Sequence, residues 1–80
     1  MYNGFGGVTM ALSYKKLWLL ITDREMNKTE LRLKAGLTSN TLAKLGKNQI
    51  VDMQTLLKIC DVLQCELSEI MEYIPEKNNK

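Results

Sequence analysis

The chain of 80 residues contains no histidine. That removes the commonest general base, the usual catalytic triads and the commonest metal-ligating side chain together. There are only two cysteines, Cys60 and Cys65. They stand five apart with no second pair, so the spacing of a zinc site is missing. Both fall on the apolar pattern of one helix and the turn after it, which reads as core thiols rather than a redox switch. Proline occurs once, at position 75, and Gly4, Gly6 and Gly7 precede residue 8. A chain with so few interior breakers can be all helix. No run has the length and apolar character of a membrane span, and the start is not that of a signal peptide. The expectation is a cytoplasmic protein with no membrane partner. Met1 to Ala11 carry no Lys or Arg, which argues against a basic arm reaching into a minor groove. A Gly-rich phosphate loop, a Ser in a strained turn, internal repeats and low-complexity segments are also missing. These absences argue against an enzyme, and they give no reason to expect a cofactor or metal.

What remains is one small domain with a modest core and little room for an enclosed pocket. Its net charge of +2 argues for no particular partner. The distribution of charge says more. Lys28, Arg32, Lys34, Lys44 and Lys47 stand against the single acid Glu30, and further on Asp52, Asp61, Glu66, Glu69, Glu72 and Glu76 stand against the single base Lys58. Such polarity turns a basic face toward phosphate and an acidic face away from it. Read alone, it also fits ordinary solvated helix faces.

Taken in order, residues 1–12 lack periodicity and read as a flexible leader. Residues 13–75 form the domain, and 76–80 are a polar tail. Ser13 is placed to cap a first helix from Tyr14 to about Arg24, with Tyr14, Leu17 and Ile21 apolar and Trp18 and Leu20 beside them. Trp18 reads as a packing residue. Asn27 to Glu30 has capping-box spacing for a second helix, with Leu31 and Ala35 one turn apart. Gly36 follows where a helix ends best in a left-handed residue. Thr38 caps a third helix, about Ser39 to Leu45, with Leu42 and Leu45 facing inward. Ser39, Asn40, Thr41 and Lys44 are left on its outer and leading side. A short helix with small hydrogen-bonding side chains first and a base one turn later suits the DNA major groove. Lys47, Asn48 and Gln49 make a polar loop beyond it that suits backbone phosphates. Asp52 caps a fourth helix carrying Leu56, Ile59, Cys60 and Leu63 at i, i+3, i+4, i+7. Leu67, Ile70, Met71 and Ile74 repeat that spacing and predict a short fifth helix, capped by Glu66 or Ser68 and stopped by Pro75.

The stretch Asn27 to Lys47 resembles the helix-turn-helix of Cro/CI-type (XRE) transcriptional regulators. Leu31, Ala35-Gly36-Leu37-Thr38, Thr41-Leu42 and Lys44-Leu45 carry the resemblance. It continues through Leu56-Leu57-Lys58-Ile59-Cys60, like the family's fourth helix, and spans roughly Tyr14 to Ile74. Arg32 stands where the family usually has a small residue, and Lys28 where it often has Gln. The resemblance implies an all-α, five-helix, lambda-repressor-like domain whose third helix enters the major groove of an operator. Base readout then falls to Ser39, Asn40 and Lys44. Lys28, Thr41 and Lys47, with the start of the second helix, hold phosphates. Leu31, Ala35, Leu42, Leu45, Leu56, Ile59 and Leu63 hold the two helices at their crossing angle. The implied partner is double-stranded DNA, a palindromic operator bound by a homodimer. A second reading keeps the helix-turn-helix shape but docks a protein, as an antitoxin or anti-repressor would. It rests on the acidic fourth and fifth helices and on Trp18, Met71 and Tyr73 as exposed apolar groups.

Overall fold

The computed structural model describes residues 11–74. Its elements run β1 (Ala11–Ser13), α1 (Lys15–Asp23), α2 (Lys28–Ala35), α3 (Ser39–Gly46), α4 (Met53–Leu63), a 3-10 turn (Leu67–Glu69) and β2 (Glu72–Ile74). The expected flexible leader and polar tail fall outside this range, except for Ala11 and Leu12. Those two residues pair with β2 instead of trailing free.

Three of the four helices begin where the sequence places their caps; α1 begins one residue later than expected, at Lys15, with Tyr14 rather than Ser13 at its N-cap position. Ser13 Oγ accepts from the Lys15 amide at the head of α1 (3.1 Å). Asn27, Thr38 and Asp52 each accept a backbone amide three residues on. This satisfies donors that a helix start leaves without intrahelical partners. The helix ends are equally regular. Glu25, Gly36, Asn48 and Gln64 follow α1, α2, α3 and α4 with φ of 58°, 69°, 56° and 51°. After each, an amide reaches back five residues: Met26 to Ile21, Leu37 to Arg32, Gln49 to Lys44 and Cys65 to Cys60. The left-handed residue itself donates three residues back. All four helices therefore close in Schellman turns, although only one has the glycine that announces such a turn in a sequence.

The core joins one face of every helix. Tyr14, Leu17, Ile21, Leu31, Ala35, Leu37, Leu45, Leu56, Ile59, Leu63 and Ile70 are buried. These are the residues that helical spacing selects in α1, α2 and α4. Leu42 departs from expectation: it is half-exposed, and Leu45 alone fills the inward side of α3. Cys60 and Cys65, expected as core thiols, are half-buried at its margin.

The expected fifth helix is a single 3-10 turn followed by a strand, so there are four α-helices among the described residues. Glu66 does lead the turn, its amide donating to Glu69 Oε2 (2.8 Å). Ile70 is fully buried, but Ile74, one helical turn further, is exposed. Pro75 supplies the reason. A residue before proline is pushed out of the α region into extended backbone, and β-branched and aromatic residues such as Tyr73 and Ile74 suit a strand. β2 pairs antiparallel with β1, Ala11 opposite Ile74, Leu12 opposite Tyr73 and Ser13 opposite Glu72. Of the apolar groups expected to be exposed, Tyr73 stands out from the surface, while Trp18 and Met71 pack partly against the core. No helix among the described residues is long and apolar enough to cross a membrane.

Candidate nucleic-acid interface

The α2–turn–α3 unit is fixed at both joints. At its start, Asn27 Oδ1 accepts from the Glu30 amide (2.8 Å) and Glu30 Oε1 accepts from the Asn27 amide (3.0 Å). This completes the capping box. At its centre, Gly36 turns the chain with φ of 69°. A Cβ added there would meet nothing within 4 Å, so backbone conformation rather than space calls for glycine. Leu37 is buried immediately after. Thr38 is extended and caps α3: its Oγ1 accepts from the Thr41 amide (3.1 Å) and donates to Thr41 Oγ1 (3.0 Å). Leu31, Ala35, Leu37 and Leu45 belong to one buried cluster. Arg32, large for its position, stays half-exposed, and its carbonyl receives the Leu37 amide (2.9 Å). The turn closes despite the bulk of that side chain.

The packing of α3 determines what it offers outward. At about 100° per residue, Ser39, Ala43, Lys47, Asn40 and Lys44 follow one another around its free side. All five are exposed, and Leu45 sits on the opposite side, completely buried. The three expected base-reading residues, Ser39, Asn40 and Lys44, therefore share one surface. Lys47 closes that surface at the end of the helix. Thr41 stands at its edge, half-buried. Its hydroxyl oxygen is taken by Thr38, which leaves its own proton free to donate.

Lys28 lies apart from this group, on the first turn of α2. Its ammonium sits over the Trp18 ring, 4.4 Å from the centroid. The ring's negative face attracts the cation and restricts where a long, flexible side chain stands. Trp18 is thus a packing residue, as expected, and also the platform for a candidate phosphate ligand.

The polar loop after α3 also makes contacts within the fold. Asn48 Oδ1 accepts from the Tyr14 amide (3.0 Å), and the Tyr14 hydroxyl donates to the Gln49 carbonyl (2.8 Å). Burial pushes the pKa of the phenol up, with the nearby Val51 backbone opposing the shift more weakly. Through these two bonds Asn48 and the Gln49 backbone hold the end of α3 to the start of α1, while both side chains remain exposed. Two residues of the site thus escaped sequence reasoning. Tyr14 looked like plain core, and no local pattern signals a phenol bonded to a loop 35 residues away. Ala43 was legible from helical angle alone, but a methyl group attracts no notice among polar neighbours.

The electrostatics favour an anion at the α3 surface. Lys44 and Lys47 lie on it, and α3 carries no acid. The nearest acid along the chain, Asp52, is committed elsewhere as the cap of α4. Hydrogen bonds from the Thr55 side chain and amide hold its carboxyl below the usual range, with weaker help from Lys58 and Lys44.

Three comparisons bear on this geometry. The Cro/C1-type HTH DNA-binding domain matches residues 16–76. An uncharacterized HTH-type transcriptional regulator, YozG of Bacillus subtilis (strain 168), is 35% identical over 57 residues, covering 69% of this chain and 68% of that one. The crystal structure of the transcriptional regulator VanUg superposes with a TM-score of 0.80 at 49% identity, covering 84% of this chain and 89% of that one. With its capped α2, glycine turn and exposed α3, the chain belongs to the Cro/C1-type helix-turn-helix DNA-binding domain family.

Proposed function

We propose that this protein is a transcriptional regulator that reads an operator by laying α3 in the DNA major groove. The observation that carries this reading is the α3 surface itself: Ser39, Ala43, Asn40, Lys44 and Lys47, all exposed on one side of a helix fixed by its buried Leu45. Asn40 suits bidentate pairing with adenine N6 and N7, and Lys44 suits guanine O6 and N7. Ser39 accepts or donates at either, and the Ala43 methyl in their midst suits a thymine methyl. Lys28, Thr41 and Lys47 take phosphates and set the register. At the start of α2 the capping box consumes the Glu30 amide and places a carboxylate there. Lys28 on its Trp18 platform is accordingly the stronger anion anchor, rather than the bare helix end.

One such surface makes few base contacts. Tight specific binding calls for two copies on a two-fold operator, since linked half-sites multiply affinity. Occupancy of the operator is then set by protein concentration, by partner binding or by competition at the operator.

Fluorescence anisotropy with the duplex immediately upstream of the protein's own gene, against a scrambled duplex and over a salt series, tests the reading. Tighter binding to the native duplex, falling steeply with log salt, is the expected result. The triple change Asn40→Ala, Lys44→Ala, Lys47→Ala should abolish the preference and leave the circular-dichroism spectrum intact. Equal affinity of the parent protein and the folded triple variant for the native duplex would refute the assignment of α3.

A further inference from the structure

The two cysteines meet across the end of α4. That helix closes in a Schellman turn, with Gln64 left-handed and the Cys65 amide donating to the Cys60 carbonyl (3.1 Å). Side chains at these two positions of a Schellman turn face each other, and an apolar contact there is common. Here the pair is thiol against thiol, two free cysteines at the two positions that a Schellman turn brings together. Both are half-buried rather than sealed in the core, and both line an open concavity. Asp61, Glu66 and Glu69 line the same concavity. Among the described residues no group of three or more His, Cys, Asp or Glu is arranged to hold a metal ion. The chemistry left to two facing thiols is oxidation to a disulfide.

We propose that Cys60 and Cys65 form a reversible dithiol site that exchanges with small disulfides, preferentially cationic ones. The first protein thiolate attacks one sulfur of the small disulfide, whose S–S bond breaks. A mixed disulfide forms and one small thiol leaves. The second protein thiolate then attacks the protein-side sulfur of that mixed disulfide. The Cys60–Cys65 bond forms and the second small thiol leaves. The protein gives up two electrons and two protons, and the small disulfide receives both. Burial, the Cys60 thiol and the Glu69 carboxylate push the Cys65 thiol up, against a smaller opposing pull from Arg24. The three carboxylates around the concavity attract a cationic disulfide and repel an anionic one. This site is independent of the α3 surface.

The test compares cystamine, a dication, with anionic glutathione disulfide on the full chain at low salt, followed by acid quench and intact mass spectrometry. The expected product has lost two hydrogens, titrates with no free thiol, remains uncrosslinked and is restored by dithiothreitol. Cystamine should react several-fold faster than glutathione disulfide, and added salt should narrow the gap. Cys60→Ser and Cys65→Ser should each stop at a single adduct. Chains carrying two small-thiol adducts, or disulfide-linked pairs of chains, as the main product would overturn the juxtaposition. Equal rates for the two reagents at low salt would overturn the preference for cations.

Discussion

Replacing Tyr14 with Phe isolates one of the bonds that tie the loop after α3 to the start of α1. The ring is 1% exposed, and Phe keeps its volume, so no cavity forms. What disappears is the hydroxyl, which donates to the Gln49 carbonyl at 2.8 Å. That carbonyl then loses a partner in a partly dry setting, at a cost of roughly 1–2 kcal/mol. A domain of this size loses about 7 °C in Tm per kcal/mol, so the midpoint should fall by roughly 7–14 °C. Thermal unfolding followed by circular dichroism reads this directly. Because the outward side of α3 is unchanged, DNA affinity well below the midpoint should move much less than stability. The phenol adds an alkaline signature. Its pKa is raised in the folded state, so its contribution is fully present below about pH 10 and is lost as pH rises through the folded value. Tyr14→Phe should remove that component of the alkaline unfolding curve. A midpoint within a degree or two of the parent, with the alkaline limb unaltered, would show that the phenol does not hold the loop after α3.

Other substitutions probe separate joints. Thr38→Ala removes the cap of α3 and should cost about 1 kcal/mol in urea titration, and it should weaken DNA binding more than its stability cost predicts. Lys28→Ala should lower the salt slope of DNA binding by about one unit; a double-mutant cycle with Trp18→Phe should give a coupling of roughly half a kcal/mol, and DNA should change the emission of the single tryptophan. Glu25→Gly relieves a left-handed residue with no other role in the fold, and the Tm should rise by a few degrees, the gain of up to about 1 kcal/mol being net of added unfolded-state entropy. Asp52 has a depressed pKa, so its contribution is present above the unfolded value near 3.9 and fades as pH falls through the folded one; Asp52→Asn should flatten that part of the acid-unfolding profile, read by circular dichroism.

The capping box at Asn27, the glycine turn, the Thr38 and Asp52 caps and the buried stripe of α4 were readable because each is a local rule applied to neighbours in sequence. The C-terminal segment was not. Leu67, Ile70, Met71 and Ile74 keep perfect helical spacing, and only the conformational demand that Pro75 makes on its predecessor argues otherwise. β1 is three residues long, too short to display alternation, so its pairing with β2 had no signature in the chain. The α3 surface could be read from its polar residues, while Ala43 and the Tyr14–Gln49 bond needed geometry. Gln64 and Glu25 hide left-handed turns that glycine would have advertised, which is why the meeting of Cys60 with Cys65 emerges only in three dimensions.

The β1–β2 ribbon also sets an order of assembly. The helices and their Schellman turns use contacts a few residues apart and can form within microseconds. The ribbon instead closes a loop of about 60 residues, whose entropy must be spent before its few hydrogen bonds return anything. It is the natural last step of folding, taken once Tyr14 and Ile70 have already brought the two segments together. By the same reasoning it should be the first part to open. In hydrogen exchange, the hydrogen-bonded amides of the ribbon should lose protection while those of Leu31 and Ile59 still exchange only through global unfolding.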